Sequence, residues 1–142
     1  MPADNLLGGP GVGFAQLMQQ LPQERLVIAI QAIAAIEAAM THTIAYVKER
    51  KAFGKAIVDF QNTRFKLAEV KTDLEVHRAF VQHCARLYAE RKLDVPTAAM
   101  VKLATTEMQF RVADTCLQLF GGSAYRTDYP ISRPFTDSLV QR

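Results

Sequence analysis

Three short stretches carry residue types that suit chemistry. The run Leu21-Pro22-Gln23-Glu24-Arg25-Leu26 sets an acid beside a cation. Pro22 suits the first turn of a helix, and a carboxylate two residues later is favoured by the helix dipole. Glu24 reads either as that helix-starting acid or as a general base held close to a carbon acid. Arg50-Lys51-Ala52-Phe53-Gly54 joins cations, an aromatic ring and a glycine. Such a set holds a phosphate and stacks a flat ring, or is a solvated cation cluster ahead of a turn. Gln118-Leu119-Phe120-Gly121-Gly122 ends in paired glycines. These admit the close approach of a ligand or another backbone, or simply cap a helix.

Other chemistry finds no support. His42, His77 and His83 share no ligand spacing, and Cys84 and Cys116 form neither a metal pattern nor a disulfide framework. No metal site is expected, and the thiols read as buried and free. His77 falls in the apolar seam of its helix and reads as a hydrogen-bonded core histidine. The glycines from Gly8 to Gly13 are not followed by the lysine of a phosphate loop.

The elements that must position these residues are long helices. Between Gln23 and Phe120 the only glycine and proline are Gly54 and Pro96, which argues against a sandwich or barrel. Residues 1–13 read as a loop. A short helix over Phe14–Gln20 precedes a long one from about Pro22 to Arg50, closed by Lys48, Arg50 and Lys51 and broken at Gly54. The next runs from an N-cap at Asp59 to about Glu90. Its seam is Leu67, Val70, Leu74, Val81, Cys84 and Tyr88. A third runs from Pro96 to Phe120 with two apolar stripes: Val101, Met108, Val112 and Leu119, then Leu103, Phe110 and Leu117. A last helix begins after Pro130. Short connections between long helices give an all-α, up-down four-helix bundle.

The 142 residues fit one domain. At 49% hydrophobic and 22% charged the chain is ordinary for a folded domain. A net charge of +3 without a basic block gives no nucleic-acid signature. No signal peptide is visible. The apolar run Leu26–Met40 is shorter than the roughly 20 residues of a membrane span, so no span is expected. That run is apolar nearly all round, however, and a bundle helix keeps one wet face. Something beyond the domain is expected to cover it.

In combination and order these stretches resemble the C-terminal helical domain of the acyl-CoA dehydrogenases, of the long-chain-like or isovaleryl-like branch. The resemblance rests on Asp4-Asn5-Leu6-Leu7-Gly8 with Gly11-Val12-Gly13-Phe14, then Pro22-Gln23-Glu24-Arg25-Leu26. It continues through Tyr46-Val47-Lys48-Glu49-Arg50-Lys51-Ala52-Phe53-Gly54 and Phe60-Gln61-Asn62-Thr63-Arg64-Phe65. It ends with Ala113-Asp114-Thr115-Cys116-Leu117-Gln118-Leu119-Phe120-Gly121-Gly122 and Tyr129-Pro130-Ile131-Ser132-Arg133. The family's usual threonine is Ala52 here, and its aromatic-Arg-Asp run reads Pro134-Phe135-Thr136-Asp137.

The resemblance implies a bundle, residues 14–142, continuing beyond Arg142, with residues 1–13 as the exit from a β-domain. It implies α,β-dehydrogenation of an acyl-CoA thioester, with the α-proton taken by Glu24 and hydride passed to the N5 atom of FAD. Arg25 is the expected substrate contact. Arg50, Ala52, Phe53, Gln61, Gln118, Gly121 and Gly122 are the expected contacts to the FAD of a neighbouring subunit. The implied partners are further copies of the chain, as dimer or tetramer, and an electron-transfer flavoprotein. The implied setting is the cytoplasm of a bacterium or the mitochondrial matrix. The alternative from another class is a non-catalytic helical oligomerisation module derived from the same family.

Overall fold

The structure, a computed structural model, describes residues 2–142. Its longest element is helix α1, Gly13–Glu49. The segment before Pro22 does not form a separate short helix as expected; Pro22 lies inside one continuous helix. Its ring removes the hydrogen bond to the Met18 carbonyl, a cost of about 3 kcal/mol in a helix interior. Ala15, Gln16, Leu17, Met18 and Gln20 on the upstream side are strong helix formers, and they carry the helix across the gap.

Helix α1 ends at Arg50, whose N–H donates to the Tyr46 carbonyl at 2.9 Å. A hairpin unforeseen in the sequence follows: strand β1, Lys51–Ala52, pairs antiparallel with β2, Lys55–Ala56. The turn between them has positive φ at both central residues, 52° at Phe53 and 82° at Gly54, the two-residue geometry that matches the strand twist. Gly54 is therefore a hairpin glycine rather than a bare helix breaker. A short 3₁₀ helix, Ile57–Asp59, leads to α2, Gln61–Ala89. Asp59 is not the N-cap of α2; it accepts from the Ala56 N–H at 3.2 Å and holds the hairpin against the 3₁₀ turn.

Helix α2 ends with Arg91 in the left-handed region at φ 58°. The Arg91 and Lys92 N–H groups return to the Tyr88 and Leu87 carbonyls, a Schellman close. Helix α3, Val95–Phe120, starts on Asp94, whose carboxylate accepts from the Thr97 N–H at 2.7 Å. It stops at Gly121, φ 60°, and a 3₁₀ helix over Gly121–Tyr125 follows. Helix α4, Ser132–Gln141, completes the four-helix bundle. Pro134 is its third residue, inside the first turn, where a missing N–H breaks no intrahelical bond.

Helix α1 packs most extensively on α3, with α2 and α4 alongside. Ile36 and Met40 of α1, Leu74 and Cys84 of α2, Met108 and Cys116 of α3 and Ile131 before α4 make one core. Buried threonine hydroxyls are satisfied inside their own helices: Thr43 donates to the Ala39 carbonyl and Thr105 to the Val101 carbonyl, both at 2.7 Å. Both cysteines are buried and free as expected, and burial pushes each thiol up from its ordinary pKa. His77 is half-buried on the seam of α2, its Nδ1 2.8 Å from the Asp73 carbonyl.

The second stripe of α3 is not wholly inside: Leu103 is 59% exposed. On α1, Val27 and Ile30 are nearly half exposed, and Phe14 and Leu17 more so. The surplus apolar surface expected on α1 is thus present and uncovered by this domain. At 37 residues α1 is also long and apolar enough to cross a membrane by length and composition. Its packing against the other three helices makes it the central helix of the bundle.

Candidate functional site

Two regions at opposite ends of α1 hold the residues singled out in the sequence. At the C-terminal end a groove of about 610 Å³ is lined by Tyr46, Arg50, Ala52, Ile57, Gln118 to Ser123 and Arg126. Five of the seven expected cofactor contacts meet there, namely Arg50, Ala52, Gln118, Gly121 and Gly122. They come from the close of α1, from β1 and from the close of α3. Phe53 and Gln61 stand outside the groove. Phe53 tips the hairpin at 96% exposure, and Gln61 is the exposed first residue of α2. The Phe53 ring instead meets Phe60 edge-on at 6.4 Å, and the Lys55 ammonium lies 4.2 Å from the Phe60 ring centre.

Tyr46 ties the groove together. Its ring stacks on Phe120 with centres 4.0 Å apart and planes 14° apart, and Tyr129 meets it edge-on at 5.7 Å. Its hydroxyl lies 3.3 Å from the Phe120 carbonyl, to which it donates, and 3.2 Å from the Ser123 hydroxyl. This link joins α1 to the turn that carries both glycines. A β-carbon at Gly121 or Gly122 would meet no atom within 4 Å and would stand in open space. Backbone is therefore bare where a ligand can lie flat against it.

The groove's charge is one-sided. Arg50 and Arg126 are its only charged lining residues among those described. The Arg126 guanidinium pairs with Asp128 through Nε at 3.0 Å and Nη2 at 2.7 Å. That hydrogen bond holds the Asp128 carboxyl below the usual aspartate range. Two guanidinium groups and bare backbone suit a phosphate-bearing ligand of the size this groove admits. Tyr46, Ser123 and Arg126 were not selected in the sequence. Tyr46 sits one helical turn before Arg50, a spacing that puts both on one face, and this was the readable signal. Arg126 carried none, because its position depends on how the chain turns after Gly122.

At the other end, Glu24 lies eleven residues inside α1, whose first residue is Gly13. The expected support from the helix dipole is absent, since that effect fades within the first turn. Glu24 is exposed and borders two shallow grooves. One, about 480 Å³, includes Gln20, Val27 and Gln31; the other, about 500 Å³, includes Arg25, Ile28, Lys102 and Leu103. Arg25 is half-buried beside it. Among the described residues no group of three His, Cys, Asp or Glu side chains comes together in a metal-binding arrangement.

Comparison with known proteins follows the same lines. The family profile described as the acyl-CoA dehydrogenase C-terminal domain matches residues 11–142. The long-chain specific acyl-CoA dehydrogenase of Mus musculus mitochondria is 48% identical over 141 residues, 99% of this chain and 33% of that protein. An acyl-CoA dehydrogenase structure from Geobacillus kaustophilus superposes with a TM-score of 0.96 at 43% identity, covering 99% of this chain and 37% of that one. A chain from a study of the electron transferring flavoprotein of Acidaminococcus fermentans superposes at 0.94 with 35% identity, again over 99% of this chain and 37% of its own length. The chain thus spans about a third of the relatives it matches. By sequence and by fold, this chain belongs to the acyl-CoA dehydrogenase family and is its C-terminal all-α domain.

Proposed function

We propose that the chain works as the C-terminal domain of an FAD-dependent acyl-CoA dehydrogenase, in which it supplies the catalytic base to one active site and part of the flavin cradle to another. The observation that supports this most is the groove at the end of α1. It gathers a guanidinium, an amide side chain and bare glycine backbone from separate parts of the chain. Arg50 and Gln118 would hold the cofactor there, with Gly121 and Gly122 letting it lie close and Ala52 beside it. Phe53 and Gln61, which project beyond the groove, would meet the cofactor's outer parts. FAD in such an enzyme supplies the acceptor for the β-hydride.

The chain's own residues do the rest. Glu24 takes the α-proton of the acyl-CoA thioester, and Arg25 beside it contacts the acyl-CoA. A base for so weak a carbon acid must be desolvated and close, whereas Glu24 borders open grooves in this domain. The walls that close over it come from the domains present in the relatives, or from other copies. The apolar surface of Val27 and Ile30, in the turns just after Glu24, suits such cover. Residues 1–13 then serve as the exit from a β-domain, the copies assemble as dimer or tetramer, and an electron-transfer flavoprotein collects the electrons. The setting is a bacterial cytoplasm or a mitochondrial matrix.

The test is Glu24→Gln in the complete enzyme. Flavin content and acyl-CoA binding stay at parental levels, while anaerobic bleaching of the flavin by acyl-CoA is lost, by at least about 10³-fold in rate. Bleaching at the parental rate would remove Glu24 from the chemistry. It would move the base elsewhere. A parental enzyme that neither holds flavin nor bleaches would favour the oligomerisation module, which the uncovered apolar face of α1 supports.

A further inference from the structure

Arg126 has no role in the proposed function, yet it lines the same groove as Arg50. Its main chain is fixed in the turn, and its exposed side chain is held by one ion pair. Its backbone N–H donates to the Ser123 carbonyl at 3.2 Å, and its own carbonyl accepts from Tyr129 at 3.3 Å. Its guanidinium carbon lies 5.7 Å from the centre of the Tyr129 ring. Asp128 takes the Nε and one Nη2 hydrogen. A guanidinium has five N–H donors in a fixed plane, so three remain, all on the Nη atoms. Asp128 therefore orients the fork without exhausting it.

Charge makes the second half of the case. Among the described residues no carboxylate lines the groove, and Asp128 is not one of its lining residues. The Arg50 guanidinium has no ion-pair partner among the described residues. A dinucleotide's pyrophosphate carries two negative charges, and a single arginine balances one of them.

Resting on the reading of this groove as a flavin cradle, we propose that Arg126 is a second anion ligand there, sharing the FAD pyrophosphate with Arg50. Arg126 presents its free Nη donors to one phosphate while Asp128 fixes the plane of the guanidinium from the other side.

The experiment titrates the apo form of the complete enzyme with FAD, following flavin fluorescence, for Arg50→Ala, Arg126→Gln, Arg126→Lys and Asp128→Asn. Arg126→Gln raises the FAD dissociation constant about tenfold, the scale of one lost charge-assisted contact at an open site. It also makes that constant less sensitive to added salt, because one screened attraction is gone. Arg126→Lys recovers part of the loss. Asp128→Asn keeps the cation but loosens its orientation, so it weakens affinity by no more than about twofold, well short of the loss in Arg126→Gln. A purely structural pair would make Arg126→Gln and Asp128→Asn alike, and equal losses in the two overturn the proposal. Parental affinity in Arg126→Gln overturns it as well. If Arg50→Ala still loses flavin, only the role of Arg126 falls; if neither arginine matters, the flavin reading of the groove falls with it.

Discussion

Mixing two damaged subunits tests the division of labour along α1. Glu24 and Glu49, the residue before Arg50, are separated by about 38 Å of helix at 1.5 Å per residue. Reacting atoms must approach to about 3.5 Å, and no dinucleotide seated at the Arg50 end reaches Glu24 of the same copy. On the proposed function, each active site takes its base from one copy and its Arg50 groove from another. In a symmetric pair, a Glu24→Gln copy offers a sound groove and a dead base, and an Arg50→Ala copy the reverse. A mixed pair then has one site with both parts intact and one with neither. Random one-to-one mixing makes half of the pairs mixed, so about a quarter of the parental sites return. The assay is flavin bleaching by acyl-CoA at limiting FAD, with the two variants co-expressed and compared with each alone. Activity no greater than the sum of the separate variants would refute the reasoning, because base and groove would then serve one site in one copy.

Two further outcomes follow from hydrogen bonds in the bundle. Tyr46→Phe keeps the ring stacked on Phe120 but removes the link to the Phe120 carbonyl and Ser123. It lowers stability by about 1 kcal/mol, read by urea denaturation, and weakens flavin retention in the complete enzyme by loosening the glycine turn. Asp94→Ala removes the N-cap of α3 and lowers the melting temperature by about 3 °C at neutral pH. The Asp94 carboxyl is held below its ordinary pKa chiefly by its hydrogen bonds to Thr97. Its contribution is therefore complete above the ordinary aspartate range and fades as pH falls through the lowered value. The melting curves of parent and variant converge in acid; a constant gap down to the lowest pH would contradict this.

The helices were readable wherever periodicity and stop signals agreed. Leu74, Val81 and Cys84 on α2 and Val101, Met108 and Val112 on α3 are core positions, as their spacing implies. The close of α3 at Gly121 was equally plain. Pro22 misled because local rules favour it at a helix start, whereas strong helix formers on both sides outweigh its single lost bond. The hairpin escaped notice because two-residue strands have no period to detect. Its turn glycine was visible, but Phe53 at positive φ was not. Of the site, the residues on regular helix ends were legible. Arg126 was not, since its placement depends on the 3₁₀ turn after α3 and on the pair with Asp128. The openness around Glu24 depends on which neighbours cover it, a property of the assembly that a single stretch of sequence does not carry.

Pro22 also divides α1 into two thermodynamic regimes. Leu17 to Gln20, upstream, are exposed, and beyond the missing bond the helix gains core residues from Leu26 onward. Upstream amide protons therefore trade with solvent through local opening, while those near Ile36 and Met40 wait for the whole bundle to unfold. Any surface that comes to cover Phe14, Leu17 and Met18 shifts the first class toward the second. Deuterium uptake on this one helix thus registers docking of whatever covers that segment without any turnover being measured.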